Sequence, residues 1–295
     1  MRFCKSHESY IQSQRRLGIN SLVLRFEDHK KDGSIIGGKM GKGKPPLIIG
    51  HRGNSGVAPA NTMESIRQAI ALGVDMIELD VRLTKDGIPI LIHNDTLDET
   101  TNGKGPVSAM DYDQISKLDA GSWKDSKYAG EKIPTLMEAL DFAKGKVCLS
   151  LDLKDQSAIP KMIMAIQDAD MVDSVVICGC CEPEAKAIWE RNANLTVVLN
   201  TDSKLDQLAK KDDKTEFINE YISRACPERF SALNVSYKQV TDELIYRAHL
   251  RALPVWTWTV DKEEDMKRLA EMGVDAIYSN YPEKAIGILR LKIED

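Results

Sequence analysis

Long apolar runs are missing from this 295-residue chain. Without a stretch of about 18 consecutive apolar residues, and without an apolar core near the N-terminus, neither a spanning helix nor a secretory leader is expected. The chain is therefore read as a cytoplasmic protein with no stable membrane insertion. A basic excess is missing as well, since 40 Lys and Arg stand against 45 Asp and Glu, for a formal net charge of -5. That balance excludes the broad positive surface of a dedicated nucleic-acid binder, so an anionic substrate must be met by cations placed locally. Six cysteines in a chain of this length do not make a disulfide scaffold. Cys178, Cys180 and Cys181 cluster, but a C-x-C-C run with no histidine nearby lacks zinc spacing, and they are read as small buried residues of a strand and its end. Histidine is scarce too, with five in all, which gives weight to where each one falls.

Residues 1–44 differ from the rest. They carry several basic residues, no clear amphipathic helix and the Gly-rich stretch Gly37 to Lys44. Gly38 to Lys44 fits G-x-x-x-x-G-K, yet Pro45 occupies the position where a phosphate loop needs Ser or Thr, and the stretch precedes a strand instead of following one. The segment is expected to be a poorly ordered extension, or an upstream artefact if Met40 is the natural start.

From Leu47 onward apolar runs alternate with helical patterns, the sequence sign of a parallel β/α architecture. Strands are expected at Leu47 to Gly50, Met76 to Leu83, Pro89 to His93, Val147 to Leu153, Ser174 to Gly179, Leu195 to Asn200, Ala232 to Ser236, Pro254 to Val260 and Ala276 to Asn280. Helices are expected at Thr62 to Leu72, Leu136 to Ala143, Ile159 to Asp168, Glu184 to Arg191, Thr241 to His249 and Lys262 to Met272. The nine strand runs fit a TIM-type (β/α)8 barrel over residues 45–295 if one of them belongs to a hairpin. A doubly wound open sheet is the rival, disfavoured because no dinucleotide fingerprint follows the first strand. The segment 94–132 is too long for an ordinary barrel loop and is read as a small insertion covering one side of the site.

The stretch His51 to His93 carries the chemistry. Within Met76 to Leu83, side chains alternate with period two, so Glu78, Asp80 and Arg82 share one face. Thr84-Lys85-Asp86-Gly87 reads as a turn, and a turn centred between Lys85 and Asp86 sets Glu78 opposite His93. Val147 to Lys154 repeats the pattern, with Ser150, Asp152 and Lys154 on one face. A covered barrel strand should be apolar on both faces, so these charges must be paired or bind something. Glu78, Asp80 and Asp152 are the metal-ligand candidates, Arg52 and Lys154 the phosphate contacts, and His51 and His93 the acid/base pair. Oxygen ligands alone favour Mg²⁺ or Ca²⁺. Trp256 and Trp258 share a face near a strand end, either walling the pocket or filling the barrel, and Trp258 is counted among the substrate contacts. His7, His29 and His249 are read as structural.

Taken together, His51-Arg52-Gly53, Pro59-Ala60-Asn61-Thr62, Ile77 to Val81, His93-Asn94-Asp95, Thr100 to Gly105, Lys132 to Leu136, Asp152-Leu153-Lys154, Trp258-Thr259-Val260 and Ser279 to Glu283 resemble the glycerophosphodiester phosphodiesterases. The resemblance covers roughly residues 47–290 in order. It implies a barrel enzyme that hydrolyses glycerophosphodiesters, such as glycerophosphocholine or glycerophosphoethanolamine, to glycerol 3-phosphate and an alcohol. Residues matching His51 and His93 are the family's general acid and base, and those at Glu78, Asp80 and Asp152 hold one divalent cation. The partner is then a small-molecule substrate, and a homo-oligomer is compatible with the sequence. Three departures stand out. Ala60 replaces the glutamate of the family's Pro-Glu-Asn-Thr turn, Asp152 stands where many relatives carry Glu, and Asn94 stands where His-Asp is common, with Asp95 directly after it. Two alternatives follow: a lysophospholipase D-like activity, which would use a broad apolar mouth, or a catalytically impaired binding protein.

Overall fold

The computed structural model describes residues 45–290, so the expectations for 1–44, the Gly38 to Lys44 stretch included, lie outside the described residues. Nine strands run β1 (Leu47–His51), β2 (Met76–Leu83), β3 (Pro89–Leu91), β4 (Cys148–Leu153), β5 (Val175–Cys180), β6 (Thr196–Asn200), β7 (Leu233–Ser236), β8 (Val255–Trp258) and β9 (Ala276–Ser279). Ten α-helices are interspersed: α1 (Met63–Leu72), α2 (Tyr112–Ile115), α3 (Leu136–Ala143), α4 (Ile159–Asp168), α5 (Glu182–Arg191), α6 (Ser203–Leu208), α7 (Thr215–Ala225), α8 (Asp242–His249), α9 (Glu263–Met272) and α10 (Pro282–Leu289). Eight strands pair in parallel, in the order β1-β9-β8-β7-β6-β5-β4-β2, and the β1–β2 pairing closes the ring. This is the expected (β/α)8 barrel. β3 is the extra strand, antiparallel to the last three residues of β2.

Alternation along each strand divides the apolar residues into two sets. Ile48, Ile77, Leu79, Leu151, Ile177, Val197, Val235 and Ile277 face outward into one continuous cluster with the helices. The residues between them, including Ile49, Met76, Val176, Val198, Trp256 and Tyr278, are buried inside the ring. Trp256 packs against Tyr278 with ring centroids 6.3 Å apart, so this tryptophan fills the barrel. The 94–132 segment builds a separate apolar cluster from Leu97, Val107, Ile115 and Ala120 against Ile90, Ile92 and Ile133.

Two differences from the sequence reading have physical causes. The turn after β2 is five residues long, with pairs Leu83↔Pro89, Arg82↔Ile90 and Val81↔Leu91, so it centres on Asp86. Thr84 fixes this length, its N–H donating to the Ile88 carbonyl and its hydroxyl accepting from the Ile88 N–H at 2.9 Å. In that register His93 would oppose Leu79, not Glu78, and β3 ends at Leu91 before reaching it. The second difference is α6 and α7, which fall where no helix is expected. α7 begins after the charged run Lys210 to Lys214, and Lys214 supplies no side-chain cap, so the usual start signal is missing.

One device appears twice. α1 and α9 each end on a glycine with left-handed φ, 74° at Gly73 and 91° at Gly273, followed by Val and Asp. Asp75 Oδ2 accepts the Ile48 N–H of β1 at 2.7 Å, and Asp275 Oδ2 accepts the Val255 N–H of β8 at 2.7 Å. Each aspartate thus clamps the start of the neighbouring strand. His249 Nε2 adds a second contact to Asp275 at 2.8 Å, which accounts for this buried histidine structurally. Asp275→Ala strands the Val255 N–H and is expected to cost about 1–3 kcal/mol. Asp275→Asn, which keeps an acceptor oxygen, should recover part of it. Urea unfolding of the two variants checks this, and equal losses would mean the carboxylate acts only through charge.

Candidate active site

Strand register assembles the site. β1 against β2 sets His51 beside Glu78, and β2 against β4 sets Asp80 beside Asp152, all near the C-terminal ends of the strands. The chain then leaves β1 through two residues of left-handed conformation, Arg52 at φ 56° and Gly53 at φ 81°. At Gly53 a Cβ would lie 2.6 Å from the Ser65 backbone carbon, so only glycine lets the loop pass this close to α1. The sharp turn aims Arg52 back at the carboxylates. Its backbone N–H donates to Glu78 Oε2 at 2.9 Å and its Nε lies 3.1 Å from Asp80 Oδ2. Lys154, just past β4, lies 2.6 Å from Asp152 Oδ2 and 3.2 Å from Asp80 Oδ1. Asn61 completes the cradle, donating to Asp80 Oδ2 at 2.7 Å and accepting the Asp80 N–H at 3.1 Å.

Burial and charge set the protonation preferences. Burial raises the Glu78 carboxyl well above its ordinary range, and the neighbouring Asp80 and Asp152 push it further. For Asp80 burial acts in the same upward direction, but Lys154, Arg52 and the Asn61 hydrogen bond outweigh it and hold the group low. Asp152 is raised, chiefly by burial. Burial opposes the charge of Lys154, yet Asp152 and Asp80 keep its ammonium above the ordinary lysine range.

Three carboxylates in one dry cluster repel one another unless a cation joins them. Glu78, Asp80 and Asp152 each offer an oxygen within 4.8 Å of the others. Glu78 Oε1 and Asp152 Oδ1 are buried with no hydrogen-bond partner, while Asp80 Oδ1, buried as well, faces the Lys154 ammonium at 3.2 Å. Three converging carboxylates, two of them with an uncommitted oxygen, are the kind of donor set a hard divalent cation takes, so the residues present fit such an ion. Gly179 makes room for it. This residue sits in a bulge of β5 at φ 72°, its N–H bound to Asn200 Oδ1 at 2.8 Å, and a Cβ there would lie 2.0 Å from Asp152 Oδ1.

The two histidines enter from different sides. His51 Nδ1 lies 2.7 Å from Asn280 Oδ1, and the Asn280 amide is oriented because its Nδ2 donates to Asp261 Oδ2 at 2.7 Å. A carboxylate can only accept from that amide, so Asn280 must turn its oxygen to His51, and the ring carries its proton on Nδ1. Nε2 is then the free lone pair, 3.7 Å from Glu78 Oε2. Burial, and after it the Arg52 guanidinium, lowers the His51 pKa to about 4, so the ring is neutral at pH 7. His93 lies beyond the last ladder bond of the hairpin, Ile92 N–H to Asp80 O at 3.0 Å. Arg82 draws it in, donating from Nε to the His93 carbonyl at 2.9 Å and from its guanidinium to the Lys154 carbonyl at 3.4 Å. His93 Nδ1 lies 2.6 Å from Asn94 Oδ1. A pocket of about 60 Å³ opens beside it, reaching from Arg52 and Ala60 to Glu99 and Thr100 of the 94–132 segment.

Among the sequence candidates, His51, Arg52, Glu78, Asp80, Asp152 and Lys154 are thus joined by direct contacts, with His93 in electrostatic reach of Asp80 and Asp152. Trp258 stands apart. It ends β8 beside Ser236, with a buried indole N–H that has no hydrogen-bond partner and no polar contact to the cluster among the described residues. Sequence reasoning missed Arg82 as a clamp, although the period-two face includes it. It also missed Asn61, Asn280 and Asp261 as orienting groups. Asn61 and Asn280 lie inside recognisable motifs; Asp261 has no local signal, since its role exists only across the closed barrel.

A closed β/α barrel that gathers three carboxylates, two cations and two oriented imidazoles at one mouth defines a hydrolase built for an anionic ester. Comparison with known proteins narrows this. The profile of the glycerophosphoryl diester phosphodiesterase family matches residues 51–284. A glycerophosphodiester phosphodiesterase of Caldanaerobacter subterraneus is 33% identical over 250 residues, 83% of this chain and 98% of that protein. One from Bacillus subtilis is 32% identical over 256 residues, covering 80% and 84%. Among solved structures, a phosphodiesterase of Oleispira antarctica in complex with its product sn-glycerol-3-phosphate superposes with a TM-score of 0.70, at 26% identity, over 83% of this chain and 96% of that one. The chain belongs to the glycerophosphoryl diester phosphodiesterase family, whose members are phosphoric diester hydrolases.

Gly145 and Gly179 share φ 72°, but only Gly179 faces a side chain; nothing lies within 4 Å of a Cβ at Gly145. Gly145→Ala should cost only the backbone penalty, about 1–2 kcal/mol. Gly179→Ala adds a clash with Asp152 and the Leu153 backbone and should cost about 1–3 kcal/mol more. Chemical denaturation of both variants measures the difference, and identical losses would show that Asp152 is free to move away.

Proposed function

We propose that this protein hydrolyses glycerophosphodiesters, such as glycerophosphocholine or glycerophosphoethanolamine, to glycerol 3-phosphate and an alcohol. The observation that carries this reading is the pairing of three converging carboxylates with two imidazoles whose Nδ1 atoms are both occupied. Glu78, Asp80 and Asp152 would hold one divalent cation, Mg²⁺ or Ca²⁺ by the all-oxygen donor set. When bound, that ion neutralises the non-bridging oxygens as charge builds on them. Arg52 and Lys154, both paired with Asp80, would hold the phosphoryl group. Neutral His51 takes a proton at Nε2 from the attacking water, and His93 delivers one to the departing alkoxide. Asn280 and Asp261 keep His51 in the tautomer this requires. The cytoplasm is the proposed location, consistent with the finding that no described helix is long and apolar enough to cross a membrane.

The lysophospholipid alternative calls for a broad apolar mouth. Among the described residues, Val57 and Trp123 are the exposed large apolar side chains on loops of this face, while Met164, Tyr246 and Leu250 lie on or next to outer helices. Two side chains favour a water-soluble diester. The binding-only alternative rests on Ala60, and the intact imidazole pair speaks against it.

Release of glycerol 3-phosphate from glycerophosphocholine and glycerophosphoethanolamine, followed with Mg²⁺, Ca²⁺ or EDTA, tests the reading. Turnover should depend on the cation, and His93→Ala should lower kcat by about 10²–10⁴-fold. Release that persists in EDTA, or that survives the loss of His93, would overturn it.

A further inference from the structure

The pocket beside His93 is walled by Arg52 and Ala60 from the loop after β1, by His93 and Asn94, and by Glu99 and Ile133 from the chain that follows. Its polar groups are mostly engaged. Arg52 faces Asp80, and Asn94 is spent on His93. Glu99 is different. The preceding residue, Asp98, is tied to Lys104 at 3.5 Å and to the Gly105 N–H at 2.9 Å, whereas Glu99 has no ion pair or hydrogen bond among the described residues. An exposed, uncommitted carboxylate on the wall of a pocket next to a phosphoryl site works against a phosphodiester anion by like-charge repulsion, unless the group beside it is positive.

The proposed reaction, on which this step rests, fixes which arm of the substrate enters. His93 gives its proton to the leaving oxygen, so the arm on the His93 side is the departing alcohol. We propose that Glu99 receives the ammonium of an amino-alcohol leaving group, and that the pocket selects a primary ammonium. The remaining wall supports that choice. Thr100 lines the pocket next in the chain to Glu99 and carries a hydroxyl that can accept, which suits a group with three N–H donors. No Phe, Tyr or Trp lines the pocket, so the cage that recognises a trimethylammonium group is not built here. Ala60 contributes only a methyl group to the wall, which leaves the space open to the two methylenes of an ethanolamine arm.

The test compares kcat/KM for glycerophosphoethanolamine, glycerophosphocholine and the neutral-headed glycerophosphoglycerol in the parent, Glu99→Gln and Glu99→Lys. Because Glu99 is exposed, the effect is that of a solvated ion pair. Glu99→Gln should lower the ratio of glycerophosphoethanolamine to glycerophosphoglycerol turnover by about two- to fivefold, carried by KM and fading as salt is raised. Glu99→Lys should lower it further. The parent should prefer glycerophosphoethanolamine over glycerophosphocholine. A ratio unchanged in both variants, or a change that salt does not touch, overturns the assignment of Glu99 while leaving the phosphodiesterase reading intact. A parent that releases glycerol 3-phosphate from none of the three overturns the reaction itself.

Discussion

Burying three carboxylates at one mouth of the barrel is the constraint on which the rest of the structure depends. Each is a cost, because a dry carboxylate loses its hydration and feels its neighbours. The chain offsets that cost with Arg52, Lys154 and Asn61, each held in place by main-chain geometry the sequence must supply. Arg52 and Asn61 both occupy left-handed φ, 56° and 60°, a conformation worth about 1–3 kcal/mol of strain for a residue with a side chain. Gly53 and Gly179 stand where a side chain would strike α1 or Asp152. The same pairing that closes the barrel, β1 on β2, sets His51 beside Glu78, so ring closure and site assembly are one event.

Much of this was legible in one dimension. Period-two alternation is enough to put Glu78 with Asp80 and Asp152 with Lys154, because a barrel strand covered on both sides has no reason to carry charge. Parallel register then does the rest, since neighbouring strand ends rise to the same level. The hairpin shows where such reasoning fails. One additional turn residue, stabilised by the Thr84 hydroxyl, moves the register and would send His93 to the outer face. His93 reaches the site only because β3 stops at Leu91 and Arg82 captures the backbone beyond it. The aromatic pair divides in a similar way: Trp256 packs on Tyr278 as filler, a contact that depends on which strands become neighbours.

Contacts between distant segments were illegible for a simple reason. The hydrogen bond between His51 and Asn280 spans 229 residues, and Asp261 reaches His51 through Asn280. No local pattern encodes a group whose function is to orient the group that orients a catalytic candidate. Asn61 and Asn280 sit within motifs that draw attention to them, but their roles follow from the loop geometry. Glu99 belongs to the same category. It becomes noticeable only when the structure shows Asp98 paired, Glu99 unpaired and both next to a pocket.

The two imidazoles are held alike at Nδ1 and differ one step further out. Asn280 is pinned by a carboxylate that can only accept, so its oxygen faces His51 in one orientation and the ring has one neutral tautomer. Asn94 has no further side-chain hydrogen bond among the described residues, so its amide can turn either its oxygen or its nitrogen to His93 Nδ1. A group that accepts a proton works best with its lone pair fixed in the site, which is what the Asp261–Asn280 pair provides for His51. The unpinned Asn94 gives His93 no such lock. Within the proposed reaction, this suits the buried histidine to the role of base and leaves that of acid to the one beside the open pocket.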